Sequence, residues 1–329
     1  MRSCYVGFDT SNYTTSAAVC DGDGKIIANI KVPLPVKAGE RGLRQSEAVF
    51  EHVRNLSDVC TSLEEVLREY MPVAVGASVR PRDAENSYMP CFLAGKSAAR
   101  AFAASAHAPV YELSHQNGHV RAALYSAGKE DLLLRERFLA FHVSGGTTEA
   151  LLVTSKDGGI SVELVGETSD INAGQAIDRV GVELGLAFPA GAKLEELAKS
   201  AKGQIYRHPV CVRDCRCSLS GVENIAKKIY KDTEDKAAVA AFVFDFIGRT
   251  LDEMCRQVMA KHGEMPVIFA GGVMSNKLMR ERLSAECEAY FSEPEFSADN
   301  AAGIALLCRD KYLKEKSDEQ RRFDGITTE

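Results

Sequence analysis

Short apolar runs separated by polar turns fill the first third of the chain and predict strands ahead of helices. Compact runs of β-forming residues indicate strands, whereas apolar residues that recur every three or four positions indicate a helix. By these rules the first third contains strands at 5–8, 16–20, 26–32, 73–79 and 110–113, and helices at 49–67 and 91–104. Ser57 and Asp58 offer a cap for a break in the first helix. The last of these strands delivers the chain to His115.

The same order of elements starts again after a polar, charged stretch near residue 128. The second part is predicted to contain strands at 138–143, 150–154, 162–166 and 267–270, and helices at 173–186, 193–202, 236–261 and 300–313. We therefore expect a first lobe at 1–128, a second lobe at 129–300, a helix at 301–316 that packs back on the first lobe, and a charged, frayed tail at 317–329. Two facing α/β lobes would enclose a cleft, where ligands of such proteins tend to bind.

Composition narrows the class of protein. The chain has 329 residues, 45% of them hydrophobic, which is ordinary for a globular protein with a sizeable core. No apolar run reaches the ~20 residues of a membrane helix, and the start lacks a signal-peptide pattern, so we expect a cytoplasmic protein without a membrane partner. A formal net charge of −6 argues against a generally basic surface that coats nucleic acid.

Ten cysteines are present, and three of them cluster at Cys211, Cys215 and Cys217. In a chain without export signals they should be mostly reduced. Their spacing is not the paired Cys-x-x-Cys of a thiolate metal site. Buried or incidental thiols are favoured over a structural metal or a redox role, and both alternatives stay open.

Two glycine runs carry the pattern of phosphate-binding turns. Ser144-Gly145-Gly146-Thr147-Thr148 offers backbone N–H groups and hydroxyls, and the run from Ala270 to Asn276 lies between a strand and a helix. Ordinary turn geometry is the alternative for each run. Together with the polar turn after Asp9, they favour a nucleotide site.

His115 and His119 lie four residues apart, so on a helix they share one face. Neutral imidazoles are good ligands for zinc or ferrous iron. Ser114 can cap this helix, although Gly118 weakens it. Gln116 stands where a zinc protease would carry its catalytic glutamate, which argues against that class. A third ligand is required, and Asp299 is the natural candidate, with an incidental histidine pair and a plain helix cap as the alternatives.

At this point a resemblance becomes specific. The chain is similar, from Val6 to about Cys308, to the tRNA threonylcarbamoyladenosine transferase family, formerly known as the O-sialoglycoprotein endopeptidase or glycoprotease family. The similarity rests on motifs in the same order: Val143-Ser-Gly-Gly-Thr, Ala173-Gly-Gln-Ala-Ile-Asp-Arg, Leu184-Gly-Leu-Ala-Phe-Pro-Ala-Gly, Ser218-Leu-Ser-Gly, Ala270-Gly-Gly-Val-Met-Ser-Asn and Phe296-Ser-Ala-Asp-Asn.

The resemblance implies an α/β fold of two ribonuclease-H-like lobes in the actin-like ATPase and sugar kinase superfamily. It implies one divalent transition metal, Fe2+ or Zn2+, held by His115, His119 and Asp299. It also implies an adenylate site, whose residues are His142, Val143, Ser144, Gly145, Gly146, Asp178, Gly191 and Asn276.

The implied reaction is acyl transfer. A threonylcarbamoyl group would pass from threonylcarbamoyl adenylate, or a related adenine nucleotide, to the exocyclic amine of an adenosine beside a tRNA anticodon. The metal would act as a Lewis acid. The implied partners are tRNA, a paralogous scaffold subunit and a small ATPase.

Several departures from the family pattern mark a divergent paralogue. The family's Glu-Thr-Ser-Cys-Asp-Glu-Thr is Asp9-Thr-Ser-Asn-Tyr-Thr-Thr here, so Tyr13 and Thr14 replace acidic residues. A polar segment at 80–88 replaces Gly-Pro-Gly, Thr147 replaces a histidine, and Glu223 replaces a lysine. An altered acceptor is one consequence, and a non-catalytic nucleotide-binding partner subunit is the second possibility. A kinase of the same superfamily is the third, with Asp9 as the candidate catalytic residue.

Overall fold

The computed structural model describes residues 1–11, 13–35, 43–203 and 205–326, and its contacts divide the chain into two compact units. Unit 1 comprises Met1–Leu134, Thr154–Val162 and Phe296–Glu329, and unit 2 comprises Arg135–Val153 and Glu163–Glu295. The sequence boundary near residue 128 assigned 154–162 to the second lobe, whereas this hairpin tip belongs to unit 1. The reason is that Gly158 lies against Lys314 and that Asn117 Nδ2 donates to Ile160 O over 3.0 Å.

Twelve strands and ten α-helices are found among the described residues. The strands are β1 (Arg2–Thr10), β2 (Thr14–Asp21), β3 (Ile26–Pro33), β4 (Tyr70–Arg80), β5 (Val110–Ser114), β6 (Arg137–Val143), β7 (Thr148–Lys156), β8 (Gly159–Thr168), β9 (Cys211–Arg213), β10 (Arg216–Ser218), β11 (Val267–Ala270) and β12 (Ala289–Phe291). The helices are α1 (Gln45–Leu67), α2 (Phe92–Ala106), α3 (His115–Ser126), α4 (Ala173–Glu183), α5 (Gly191–Lys199), α6 (Gly221–Thr233), α7 (Lys236–His262), α8 (Lys277–Glu286), α9 (Pro294–Ser297) and α10 (Ala302–Ile326).

The sheet of unit 1 has the order β3-β2-β1-β4-β5, in which β1 pairs antiparallel with β2 and parallel with β4. Successive side chains of a strand point to opposite faces. Val6 and Phe8 of β1 therefore pack in the cluster that includes α1 and α2, while Tyr5 packs in the cluster that includes α10. Asp9 lies four residues after Tyr5 on β1, so the two side chains point to the same face of the sheet. This face is the one covered by α3 and α10.

Helix α1 buries a stripe that the apolar pattern described only in part. Ala48, Leu56, Val59 and Leu63 are buried, and His52 lies on the same stripe at 0% exposure. By contrast, Phe50 and Val53, which are apolar residues of the helix predicted at 49–67, are 62% and 60% exposed. The helix continues without a break at Ser57 and Asp58, since its hydrogen-bonded turns run from Gln45 to Leu67.

Helices α3 and α10 approach each other at two glycines. A Cβ atom on Gly303 would lie 1.8 Å from the carbonyl oxygen of Gly118, and one on Gly118 would lie 2.9 Å from Ile304 Cδ1. Only residues without a side chain permit this separation. Gly118, which lowers the helix propensity of α3, is therefore the residue that lets α10 pack closely against it.

The sheet of unit 2 has the order β12-β11-β6-β7-β8-β10-β9, and β11 runs parallel to both β6 and β12. Its core is built around α7, which packs against α5, α6 and α8. The sequence patterns did not identify α6. They also ended the last helix near Leu313, whereas α10 continues to Ile326. No helix among the described residues is long and apolar enough to cross a membrane.

Candidate metal centre and nucleotide pocket

The two histidines open helix α3, directly after strand β5. Ser114 is the N-cap, and its hydroxyl accepts a hydrogen bond from Asn117 N over 3.3 Å, as the sequence predicted. The cap makes His115 the first helical residue and puts His119 one turn later on the same face. The two rings meet edge to face with centroids 4.4 Å apart.

Asp299 lies just before α10 and is not the cap of that helix. Asn300 instead accepts a hydrogen bond from Ala302 N through Oδ1 over 3.0 Å. Asp299 Oδ2 accepts from the Ser11 hydroxyl over 2.7 Å, and this leaves Oδ1 facing the imidazoles. The turn after β1 thus holds the Asp299 carboxylate in this orientation.

His115, His119 and Asp299 converge within unit 1. His115 Nε2 and His119 Nε2 are 3.0 Å apart, and Asp299 Oδ1 lies 3.2 Å from His119 Nε2 and 3.6 Å from His115 Nε2. A circle through these three atoms has a radius of about 1.9 Å, slightly shorter than zinc–nitrogen and zinc–oxygen bonds of ~2.0–2.2 Å. A single cation above their plane therefore reaches all three, so the donor set and its spacing fit a divalent transition metal.

Asp9 fixes the orientation of His115. Its Oδ2 accepts from His115 Nδ1 over 2.9 Å, and its Oδ1 accepts from the Ser78 hydroxyl. With Nδ1 protonated, the neutral ring presents the lone pair of Nε2 to the other two groups. Asp9 has 0% exposure, so this carboxylate contacts an imidazole and not a substrate hydroxyl, which weighs against the kinase alternative.

Without a cation, the pKa values of these side chains depend strongly on the charges of their neighbours. Burial disfavours the imidazolium, but the negative charges of Asp9 and Asp299 raise the pKa of His115 to about 10. Burial likewise disfavours the carboxylate of Asp299, yet hydrogen bonds from His115 and His119 hold its pKa well below its usual value. The site is therefore built for positive charge among these groups, carried either by a proton or by a metal.

Sequence patterns missed three residues of this site: Ser11, His52 and Ser78. Ser11 lies in the polar turn after β1, and Ser78 lies in the strand predicted at 73–79. His52 had a detectable signal, because it falls four residues before Leu56 on the buried stripe of α1. A histidine at a position that helical spacing assigns to the core requires hydrogen-bond partners.

The glycine runs of unit 2 meet at one edge of its sheet. Strands β6 and β11 are paired up to His142 and Ala270, and the two runs follow directly. A Cβ atom on Gly271, whose φ is +102°, would lie 2.2 Å from Val143 O. The turn after β6 is closed by the Ser144 hydroxyl, which accepts from Gly146 N over 3.2 Å.

A cavity of about 360 Å³ opens beside these runs. Of the residues predicted to bind the adenylate, Gly145, Asp178, Gly191 and Asn276 line it. His142, Val143, Ser144 and Gly146 belong to the adjoining strand end and turn but do not line the cavity. Gly272, Val273 and Ser275 of the second glycine run line it too, and the lining residues that sequence patterns did not assign to a nucleotide site are Gly174, Ile177, Pro189, Ala192, Glu195 and Phe244.

Three polar side chains organise this cavity. Asp178 Oδ1 accepts from Ala190 N over 2.8 Å and so holds the segment that leads to Gly191. Asn276 Oδ1 caps α8 by accepting from Met279 N over 2.9 Å, while its Nδ2 is buried without a hydrogen-bond partner among the described residues. Glu195 accepts from Lys277 N over 3.1 Å at the same helix start. A buried, unpaired amide donor beside a cavity indicates a ligand or water that accepts from it.

The cysteine cluster does not form a metal site. Cys211 and Cys217 lie on opposite faces of the β9–β10 hairpin, because Cys217 pairs with Val212 and Cys211 pairs with Ser218. Cys211 is exposed, whereas Cys215 and Cys217 are buried. Among the described residues, the trio on α3 and before α10 is the sole group of this kind with converging ligand atoms.

The departures from the family pattern lie on exposed or half-buried surfaces. Tyr13 is 48% exposed, and Thr14 is half-buried at the start of β2. Arg80 pairs with Asp83 over 2.6 Å in the segment that replaces Gly-Pro-Gly. Glu223 pairs with Lys227 over 2.9 Å, so it is engaged on the surface of α6.

Comparison with known proteins supplies the family and the fold. The sequence profile described as TsaD, tRNA N6-adenosine threonylcarbamoyltransferase, matches residues 88–306. A protein of that name from Streptococcus suis (strain 05ZYH33) is 30% identical over 326 residues, which cover 94% of this chain and 93% of its own length.

Among solved structures, HypF from T. kodakarensis superposes with a TM-score of 0.61 at 13% identity, covering 95% of this chain and 48% of that one. A ROK family glucokinase from Streptomyces griseus, in complex with glucose and AMPPNP, superposes with a TM-score of 0.52 at 14% identity, covering 93% of this chain and 98% of that one. At such identities the superpositions establish the fold alone, and they confirm the predicted actin-like ATPase and sugar kinase class.

Proposed function

Because the chain belongs to the tRNA N6-adenosine threonylcarbamoyltransferase family, we propose that it is an acyltransferase that uses threonylcarbamoyl adenylate as its donor. The exocyclic amine of an adenosine next to the tRNA anticodon attacks the carbamoyl carbon. A carbon–nitrogen bond forms, the bond from that carbon to the phosphate oxygen breaks, AMP leaves, and the amine releases one proton to solvent. The observation that carries this proposal is the convergence of His115, His119 and Asp299.

In this proposal the trio holds one divalent transition metal, Fe2+ or Zn2+. Two imidazoles and one carboxylate suit both ions and leave coordination positions for substrate oxygens. When bound, the ion supplies Lewis-acid polarisation of the donor. Asp9 keeps the Nε2 lone pair of His115 directed at the site, and Ser11 keeps one oxygen of Asp299 occupied so that the other faces inward. We therefore assign Asp9 a positioning role instead of the catalytic role expected from the sequence.

The adenosine of the donor is proposed to bind in the cavity of unit 2. Asn276 Nδ2 offers a buried donor with no partner among the described residues, and an adenine or ribose oxygen or nitrogen can accept from it. The carboxylates of Asp178 and Glu195 can accept from ribose hydroxyls. Gly145 is the residue of the Ser144–Thr148 turn that lines this cavity, and its backbone N–H group is suited to a phosphate oxygen.

A second function, a non-catalytic nucleotide-binding partner subunit, is favoured by one observation. The turn after β1 carries Tyr13 and Thr14 where the family pattern has acids, so two carboxylates are lost beside a preserved metal trio. A changed acceptor explains the same observation while retaining catalysis. A paralogous scaffold subunit and a small ATPase are the proposed protein partners in either case.

The test is a transfer assay with purified protein, threonylcarbamoyl adenylate and bulk tRNA, with and without candidate partner subunits. Digested tRNA is analysed by mass spectrometry for the threonylcarbamoyl adduct of adenosine. The proposal expects the adduct with the wild-type chain and its loss in Asp299→Ala. If AMP binds but no adduct forms with any partner combination, the partner-subunit function replaces the transferase.

A further inference from the structure

His52 lies in the N-terminal half of α1, buried beneath the turn that connects β1 and β2. Its Nε2 is 2.7 Å from Ser11 O, and its Nδ1 is 2.8 Å from Thr15 Oγ1. Ser11 directly follows β1, and Thr15 lies at the start of β2, so the two partners stand on opposite sides of this turn. The ring therefore bridges the two ends of this turn from below.

The contacts determine the protonation of the ring. A carbonyl oxygen can only accept, so Nε2 carries the hydrogen and donates to Ser11 O. In the neutral ring Nδ1 is then an acceptor, and it receives the Thr15 hydroxyl hydrogen. Burial lowers the pKa of His52, which favours this neutral form. Asn55 Nδ2 donates to Thr15 Oγ1 over 3.3 Å and completes the arrangement.

Ser11 is the link from this ring to the metal trio. Its carbonyl is held by His52, and its hydroxyl donates to Asp299 Oδ2 over 2.7 Å. Both groups are attached to the Cα atom of Ser11, so anchoring the carbonyl limits the hydroxyl to the positions that the staggered rotamers about one bond allow. Asp299 Oδ1 then faces His115 and His119.

We propose that His52 is a positioning residue for the metal centre, which it influences through Ser11 by fixing the rotation of the Asp299 carboxylate. The proposal rests on the metal centre of the proposed function. It makes α1 part of the site, although no residue of α1 is a ligand.

A role of His52 in core packing alone explains these contacts less well than a positioning role does. The neighbouring positions on the buried stripe are Ala48, Leu56, Val59 and Leu63, which fill the core without polar atoms. Burying an imidazole costs free energy unless both nitrogens are satisfied. Here both are used on one turn, and that turn holds the metal-site carboxylate.

The experiment measures zinc affinity by competition with a chromophoric chelator, on full-length protein whose folded fraction is established by circular dichroism. The variants are His52→Asn, His52→Gln, Ser11→Ala and the double variant His52→Asn with Ser11→Ala. Glutamine places its amide nitrogen near the position of Nε2 and keeps the donor to Ser11 O, whereas asparagine is too short to reach it. Leu63→Ala is the matched control, because it weakens the same helix without touching the turn.

Loss of an outer-sphere contact typically weakens metal binding ~10–100-fold. We expect His52→Asn and Ser11→Ala each to fall in this range, His52→Gln to recover most of the affinity, and Leu63→Ala to bind zinc like the wild type. The double variant should bind no more than about twofold more weakly than Ser11→Ala alone, because both changes interrupt one route.

The outcomes separate this proposal from the function on which it depends. If the wild type binds zinc and folded His52→Asn binds it equally well, the role of His52 is overturned while the metal centre stands. Additive losses in the double variant also overturn it, since His52 would then act without Ser11. If the wild type binds no zinc, the metal centre itself fails, and the role of His52 fails with it.

Discussion

Gly303→Ala is the change that should most sharply test how the metal trio is assembled. A Cβ at this position would lie 1.8 Å from Gly118 O and 2.9 Å from Ala122 N, and both are backbone atoms of α3. Ordinary contact begins near 3.4 Å, so α10 must move about 1.6 Å away from α3. Overpacking of this kind costs ~1–3 kcal/mol of stability.

The displacement has a calculable effect on the trio. Asp299 precedes α10, whereas His115 and His119 belong to α3. Lengthening both carboxylate–imidazole distances by about 1.6 Å increases the radius of the circle through the three atoms from about 1.9 to about 2.6 Å, beyond the ~2.0–2.2 Å reach of a metal–ligand bond. One ligand is then lost, and we expect zinc affinity to fall at least ~100-fold.

The assay is zinc competition together with thermal unfolding of the metal-free protein. Gly22→Ala is the matched control, because no atom lies within 4 Å of a Cβ at that position. It should leave zinc affinity unchanged. A folded Gly303→Ala protein that binds zinc as tightly as the wild type would refute the claim that close packing of α10 on α3 brings the ligands together.

Further predictions concern protonation, the nucleotide and the cysteines. Because the pKa of metal-free His115 is raised to about 10, a proton competes with the metal at neutral pH. Zinc affinity should therefore rise about tenfold per pH unit from about pH 7 to about pH 9, and a flat profile would contradict the coupling. The raised pKa also affects stability. The contribution of His115 to the stability of the metal-free protein is complete below about pH 6.5 and is lost as the pH rises through about 10. Asn276→Asp keeps the cap of α8 but removes the Nδ2 donor, so AMP affinity measured by calorimetry should fall about tenfold with little change in Tm. An unchanged AMP affinity would remove Asn276 from the nucleotide site. Cys211→Ser should leave the metal content of the purified protein unaltered. A loss of metal would support a metal site formed by cysteine thiolates, against which the hairpin geometry argues.

Local patterns predicted the elements that carry a clear apolar run or a clear cap. The buried strands of unit 1, the capped start of α3 at Ser114 and the long helix α7 have such patterns, and the structure contains them. The C-terminal half of α10 was missed because it is charged on every side. It has no apolar stripe, and pairs such as Lys314–Asp318 at helical spacing support it instead.

The candidate site was predictable to the extent that its chemistry is local or matches a family motif. His115 and His119 are four residues apart, and their shared face follows from helix geometry. Asp299 joins them only because Gly118 and Gly303 let two helices touch, which no local pattern reveals. The roles of Asp9 and Ser11 depend on which strand face they occupy and on hydrogen bonds across 106 and 288 positions of the chain.

The central claim is that His115, His119 and Asp299 hold one functional metal ion. The most direct measurement is the metal content, by mass spectrometry, of protein purified anaerobically and reconstituted with Fe2+ or Zn2+, for the wild type and for alanine variants of the three residues. We predict about one ion per wild-type chain and nearly none in each folded variant. A wild-type chain without bound metal, or a variant that retains it, would contradict the account.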